Sequence, residues 1–364
     1  MEALKILLFP LAVLYGLFVK GRNLLFDIRV LPSEKFPIPV ISVGNLIAGG
    51  SGKTPMVEYI IRMFGNSGRI STLSRGYKRK TKGYRLAGEN ETVDTLGDEP
   101  MQYLEKFGNI HVAVCERRKE GIKNLMRDIP DLDAVILDDA FQHRYVQPEL
   151  SILVTDYFKL FTKDWLLPYG RLREHISGRK RADIIVVTKT PRIFSPIVRK
   201  QLIEEIKPLP GQLVCFSYIN YLQYTPVYSN RDSYAGRTDN VYSIIMLSGI
   251  ANPGPMQEYL RRQCTDLEMI EFADHHAFSS KDLMLLKDKF NNLPTKRKII
   301  ITTEKDAKRL QNYEAESIIG NLPIYFIPIA FEFHPEDKLL FEKAIKATIK
   351  IRELLPTDVI SADQ

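Results

Sequence analysis

Ile38-Pro39-Val40-Ile41-Ser42-Val43 runs directly into Gly44-Asn45-Leu46-Ile47-Ala48-Gly49-Gly50-Ser51-Gly52-Lys53-Thr54-Pro55. The first six residues read as a buried strand. The apolar positions Met56, Ile60, Ile61 and Phe64 read as one face of a helix that starts near Thr54. Pro55 suits the first turn of such a helix, where a missing N–H costs nothing. A glycine-rich turn between strand and helix is a phosphate cradle. Backbone N–H groups curl around the anion, the helix N-terminus adds partial positive charge, and a lysine reaches the terminal phosphates. The candidate nucleotide site is therefore Ile47, Ala48, Gly49, Gly50, Ser51, Gly52, Lys53 and Thr54, with the Thr54 hydroxyl at a Mg²⁺ position. One departure stands out: the strict P-loop pattern has glycine where this chain has Ile47.

Outward from this loop, apolar runs recur at 70–73, 111–114, 134–137, 152–154 and 184–188. Several are continuous rather than alternating, which suits a parallel sheet covered on both faces. Their alternation with helical stretches such as 121–126 predicts an α/β fold: a P-loop NTPase-like, mostly parallel sheet with helices on both faces. Pro208-Leu209-Pro210-Gly211 reads as a linker, and the Tyr-rich alternating stretch 213–228 as a short ribbon. Strands at 243–247, 298–302 and 324–327, with helices at 255–262 and 280–290, then predict a second, smaller α/β domain. The expected division is an N-terminal apolar helix (1–30), a P-loop domain (31–208), and the ribbon with the smaller domain (209–364). A length of 364 residues suits two cores rather than one.

The second chemical signal is Ala134-Val135-Ile136-Leu137-Asp138-Asp139, an apolar strand ending in acids, the usual Mg²⁺-side partner of a P-loop. Asp138 and Asp139 point to opposite sides of an extended chain, so one of them meets the metal, and the sequence leaves open which. Transfer to an alcohol also needs a carboxylate or base for the acceptor hydroxyl. Gly97-Asp98-Glu99-Pro100 and Phe272-Ala273-Asp274-His275-His276-Ala277-Phe278 are the two candidate places, with helix capping as the alternative for both. His275 and His276 do not read as a metal pair, because adjacent side chains diverge and no third ligand stands at a familiar spacing. His143, in Phe141-Gln142-His143, reads as structural or as added site polarity.

Three widely spaced cysteines, Cys115, Cys215 and Cys264, argue against a disulfide framework and for a reducing compartment. The net charge of +7 favours anionic partners, with clusters at Arg75, Lys78, Arg79, Lys80, Lys82 and Arg85, and at Arg171, Arg173, Arg179, Lys180 and Arg181. No nucleic-acid recognition motif accompanies that charge, so no nucleic acid is expected. Residues 6–19 are apolar except Tyr15 and are bracketed by Lys5 and Lys20. At about 1.5 Å per residue they span about 21 Å, short for a bilayer crossing. No small-residue cleavage site follows, which counts against a signal peptide. The main expectation is a helix dipping into one leaflet; a buried helix and a true span are the alternatives.

Taken together, Val40 to Pro55 (VISVGNLIAGGSGKTP), Ser74-Arg75-Gly76-Tyr77, Gly97-Asp98-Glu99-Pro100, Asp138 to His143 (DDAFQH), Leu167 to Glu174 (LPYGRLRE) and Asp274-His275 resemble the tetraacyldisaccharide 4'-kinases of lipid A biosynthesis. That family's loop also lacks glycine at the position of Ile47, while Ala140 stands where it commonly has glycine. The resemblance implies transfer of the ATP γ-phosphate to the 4'-hydroxyl of a tetraacyl disaccharide 1-phosphate. It places the work at the membrane surface, on the cytoplasmic face of the inner membrane, with a monomer expected. It implies that Asp98 acts as base, that His275 pairs with it, and that Lys53 and Thr54 serve phosphate and Mg²⁺. Asp138 or Glu99 would complete the metal shell, and Arg75, Tyr77 and Arg171 would position phosphate or substrate. A P-loop switch or metal-chaperone GTPase is the competing reading, but Thr188-Lys189-Thr190-Pro191 lacks the acid that guanine recognition needs.

Overall fold

The computed structural model describes residues 2–64, 69–228, 241–250, 252–274 and 276–349. They fall into two compact units, Met1–Ile219 with Phe331–Gln364, and Asn220–Ala330. The first unit runs α1 (Glu2–Asp27), β1 (Val40–Gly44), α2 (Lys53–Phe64), β2 (Ile70–Ser74), β3 (Arg85–Leu86), α3 (Val93–Leu96), α4 (Asp98–Lys106), β4 (His111–Val114), α5 (Arg118–Asp128), β5 (Ala134–Asp138), β6 (Leu150–Asp156), β7 (Ile184–Thr188), α6 (Pro196–Ile206) and β8 (Leu213–Tyr221). The second runs β9 (Thr225–Pro226), β10 (Ser243–Ser248), α7 (Gly254–Arg261), β11 (Asp266–Glu271), α8 (Ser280–Asn292), β12 (Lys298–Thr303), α9 (Glu304–Leu310), α10 (Tyr313–Ile319) and β13 (Ile324–Ile327). The chain then enters β14 (Ile329–Phe333) and closes with α11 (Pro335–Thr348).

Among the described residues the first unit's sheet has the order β14-β8-β7-β6-β1-β5-β2-β4-β3. β1 pairs parallel with β5 and β6, while the short edge strand β3 is antiparallel to β4 and the other edge strand, β14, runs antiparallel to β8, with the His334 N–H on the Phe216 carbonyl and the Leu222 N–H on the Pro328 carbonyl. β1, β2, β5, β6 and β7 are buried at every position, as continuous apolar runs covered on both faces should be. The second unit's sheet, β11-β10-β12-β13-β9, is parallel except for β9. Both sheets are α/β layers of the kind the sequence predicts.

Two expectations change. The stretch 213–221 is not a ribbon: β8 pairs parallel with β7, from Ile184 opposite Leu213 to Val187 opposite Phe216. Its inward residues Cys215 and Phe216 are fully buried, so β8 extends the first sheet. The expected boundary at 208/209 therefore moves to Ile219, and 331–349 return to the first unit. Tyr59 of α2 packs edge-on against Phe333, ring centres 5.1 Å apart, and Phe341 and Ile345 are buried in that same core. The N-terminal helix is present within the expected segment 1–30 as α1, which extends beyond the apolar run 6–19. It carries Pro10 inside and continues to Asp27 because Arg22, Asn23 and Asp27 find partners on the domain surface.

Candidate functional site

The glycine-rich loop joins β1 to α2, and Lys53 opens the helix. Strand register places Val43 of β1 beside Asp138 of β5, so loop and acids meet at the same sheet edge. The loop is tied from within by Asn45. Its amide donates to the Ile47 carbonyl at 2.5 Å and the Ser51 hydroxyl at 2.8 Å. The Ala48 N–H is taken by the Arg171 carbonyl at 2.8 Å, and Ile47 bridges to Leu172. Ile47 is buried in an apolar cluster with Leu46, Phe141 and Leu172, so this limb of the loop is a structural edge. Gly49 and Gly50 are exposed, and Lys53 and Thr54 are half-buried.

The two acids differ. Asp138 is 4% exposed; its Oδ2 accepts from the Tyr103 hydroxyl at 3.0 Å and its Oδ1 has no hydrogen-bond partner. Burial, reinforced by the charges of Glu99 and Asp139, pushes its carboxyl up to about 6. Asp139 stands at φ 49 and is ion-paired with Arg173 at 2.8 Å and Lys53 at 3.5 Å. Burial pushes its carboxyl up, but Lys53 and Arg173 outweigh that and hold it below the usual range.

Asp98 and Glu99 open α4 and are half-buried. Gly97 before them has φ +94, and a Cβ there would stand 2.9 Å from the Tyr77 carbonyl. The Arg75-Gly76-Tyr77 turn thus packs backbone to backbone on the turn that presents Asp98, which is why glycine is needed. α4 is pinned twice more: Tyr103 bonds to Asp138, and buried Glu58 of α2 accepts from Gln102 at 2.6 Å and Lys106 at 3.0 Å.

A basic field lies beside the acids. Burial pushes the Arg118 guanidinium down to about 10 against the pull of Asp138 and Asp139. His143 is pushed down to about 4 by burial and by the charges of Arg118, Arg22 and Arg75. It is therefore a neutral ring at neutral pH, and its Nε2 is buried without a partner. Arg75 and Tyr77 are exposed. Arg171 turns to Asp164 at 2.8 Å, whereas Arg173, two residues on, reaches Asp139. His275 lies outside the described residues. In the second unit, His276 bonds to Asp282 at 2.9 Å and stacks on Phe272.

Sequence reasoning missed Arg173, Arg118, Tyr103 and Lys189. Arg173 stood unsingled in the basic run, and Tyr103 lies mid-helix with no motif to mark it. The candidate divalent-cation site fits the donors present. Among the described residues no group of three or more His, Cys, Asp or Glu forms a cage. Mg²⁺ beside a triphosphate uses one or two carboxylates with phosphate oxygens and waters. The unpartnered Asp138 Oδ1 is such a donor.

Comparison with known proteins gives a consistent set of matches. The model of the family described as tetraacyldisaccharide-1-P 4'-kinase matches residues 4–350. A tetraacyldisaccharide 4'-kinase of Bacteroides thetaiotaomicron is 42% identical over 89% of this chain and 88% of that protein. One of Parabacteroides distasonis is 42% identical over 95% of each. A solved structure described as the apo form of LpxK from Aquifex aeolicus in complex with ATP is 28% identical. It has a TM-score of 0.69 and covers 95% of this chain and 99% of that one.

Proposed function

This chain belongs to the tetraacyldisaccharide-1-P 4'-kinase family, and from that premise we propose how its own residues divide the work. The activity is ATP-dependent phosphorylation of the 4'-hydroxyl of a tetraacyl disaccharide 1-phosphate in lipid A biosynthesis. The observation that carries the site reading is the register of β1 and β5, which sets the GGSGKT loop beside an unpartnered buried Asp138 oxygen.

In this reading the loop N–H groups and Lys53 hold the β- and γ-phosphates. Positioning and charge compensation do most of the catalytic work in phosphoryl transfer. Asp139 orients Lys53 and Arg173 together, so two cations face the transferred group from one carboxylate. Mg²⁺, held by Thr54 and Asp138 with Glu99 nearby, would neutralise charge on the phosphate oxygens. Asp98 accepts the proton of the acceptor hydroxyl, and the Gly97–Tyr77 contact fixes the turn that carries it. His275 is kept as a catalytic residue on the motif alone. Arg75, Arg118 and Arg22 supply a positive field for anionic substrate, with neutral His143 as a hydrogen-bonding ring.

Label transfer from radioactive ATP to a tetraacyl disaccharide 1-phosphate in detergent micelles tests this. Lys53→Ala, Asp98→Ala and His275→Ala should each lower kcat/KM by about 10²-fold or more. Asp98→Ala activity within a few-fold of wild type removes the base assignment. ATP turnover without labelled lipid removes the acceptor.

We place the enzyme on the cytoplasmic face of the inner membrane. α1 contains one stretch, Leu8–Asp27, long and apolar enough to cross a membrane by length and composition, with 11% of it buried. It also lies bonded along the first unit, Tyr15 to the Arg173 carbonyl at 2.7 Å and Arg22 to the Gln142 carbonyl at 2.9 Å. Leu14, Leu17 and Phe18 are exposed on its other face. A helix held along the domain with an uncovered apolar face favours lying in the interface over crossing it. Co-sedimentation with anionic vesicles should fall about ten-fold or more in Leu14→Asp/Phe18→Asp, since each buried large apolar side chain contributes about 1.5–3 kcal/mol. Undiminished binding counts against the assignment.

A further inference from the structure

Lys189 stands just beyond the end of β7, two strands from the loop-bearing β1, in the Thr188-Lys189-Thr190-Pro191 stretch that the transfer chemistry leaves unused. Its backbone is left-handed, φ 60, a conformation in which glycine is the cheap choice and a long side chain is not. The side chain accounts for its presence. Its ammonium donates to the Gly50 carbonyl of the phosphate loop at 2.6 Å and to Asp156 Oδ2 at 2.6 Å. Asp156 is itself 5% exposed, and its other oxygen accepts from the Phe158 N–H at 2.8 Å. The carboxylate is therefore a fixed post at the end of β6. Next door, the Thr188 hydroxyl donates to the Ser51 carbonyl at 2.8 Å. A Cβ at Gly52, which has φ +88, would stand 3.4 Å from the Thr188 side chain.

These contacts act on the exposed apex of the loop. Gly49 and Gly50 are exposed, and a Cβ at either would meet no atom within 4 Å, so no side-chain packing covers the apex on that side. Glycine backbone left to itself samples many conformations, and each residue ordered on binding costs affinity. Carbonyl oxygens turned towards a triphosphate would also repel it. A trans peptide is planar, with C=O and N–H on opposite sides. Holding the Ser51 carbonyl on Thr188 therefore aims the Gly52 N–H away from β7, while Lys189 holds the Gly50 carbonyl outward and the Ser51 N–H of that peptide donates to the Gly49 carbonyl at 2.9 Å.

We infer that Lys189, anchored by Asp156, is a positioning residue for the nucleotide: it braces the Gly50–Ser51 segment from outside and pre-sets the loop for phosphates. Asn45 braces the same loop from inside. Lys189 touches loop backbone rather than the reacting atoms, so its loss should appear in nucleotide affinity and not in the transfer step. This inference rests on the loop reading given above.

The test is nucleotide binding by the full-length enzyme in detergent, with kinetics alongside. Lys189→Met should raise Kd and KM for ATP on the order of ten-fold, the effect of ordering about one more residue on binding. kcat and the KM for lipid should stay within about three-fold. Inorganic tripolyphosphate should lose competing power in step with ATP, because the brace acts on the phosphate site. Lys189→Arg should recover most of the affinity, and Asp156→Asn should mimic Lys189→Met more weakly. A merely structural ion pair would lower the melting temperature and leave Kd within two-fold of wild type, which overturns the inference. Unchanged binding in Lys189→Met alone removes only the brace; unchanged binding in Lys53→Ala as well removes the loop reading itself.

Discussion

Asp138→Asn is expected to lower phosphate transfer by about 10³-fold while making the metal-free protein more stable at pH 8. The two effects share one cause. Asp138 is buried at the end of β5 with one oxygen on Tyr103 and the other without a partner, beside the charges of Glu99 and Asp139. Its carboxyl is raised from 3.8 to about 6, so the folded protein holds this proton more tightly than the unfolded chain. Stability conferred by the protonated group is full below pH 4. It is lost between pH 4 and 6, and above that the folded state carries an unfavourable charge. The gap between 3.8 and about 6 is worth about 3 kcal/mol at about 1.4 kcal/mol per pH unit. Asparagine removes the charge but buries an NH₂ that lacks an acceptor, which leaves a net gain of about 1–2 kcal/mol. For a unit of this size that is a rise of about 3–6 °C in melting temperature, measured in EDTA. At pH 4 the gain should vanish. Mg²⁺ and ATP together should stabilise wild type and leave the variant nearly unmoved. A variant that melts lower than wild type at pH 8 would show that Asp138 is satisfied without a cation and would undo the metal assignment.

What the sequence disclosed follows from which signals are local. The P-loop announced itself because its chemistry demands particular residues in a row: glycines for close backbone approach, then Lys53 and Thr54. The parallel sheet was legible because strands covered on both faces are apolar throughout, as in β6, Leu150–Asp156, where every residue is buried. The site's supporting contacts were not legible, since they join residues far apart in the chain. Tyr103 meets Asp138 across 35 residues, and Lys189 meets Gly50 across 139. Nothing local distinguishes a helix tyrosine that reaches a carboxylate from one that fills a core. β8 was misread for a related reason. Its tyrosines, Tyr218 and Tyr221, suggest a half-exposed ribbon, and only its pairing with β7 shows that it belongs to a buried sheet.

The last strand and helix of the described chain give the other large effect, because they stabilise the loop-bearing unit rather than the unit they follow in sequence. Asp337 in α11 is fully buried. Its carboxylate accepts both Arg199 terminal nitrogens, at 2.7 and 2.5 Å, and the Phe216 N–H at 3.2 Å, while the Arg199 guanidinium lies 4.5 Å from the Phe216 ring centre. One carboxylate thus fastens α11 to α6 and β8. Asp337→Ala leaves a buried N–H without an acceptor and a cation, 22% of its side chain exposed, with only the exposed Glu336 carboxylate at 3.1 Å. Losing one partner of such a pair costs about 3–5 kcal/mol, and partial exposure of Arg199 favours the lower end. The expected loss is about 3 kcal/mol, or about 6–12 °C in melting temperature. A chain of two units need not unfold in one step, so the affected transition is identified by ligand. ATP should raise the transition that Asp337→Ala lowers, because both the phosphate loop and α11 belong to the first unit. Arg199→Met/Asp337→Leu should recover much of the loss, since an apolar pair of similar volume needs no hydrogen bonds. If Asp337→Ala instead lowers only a transition that ATP does not move, then α11 stabilises the second unit and the chain's return to the first is misassigned.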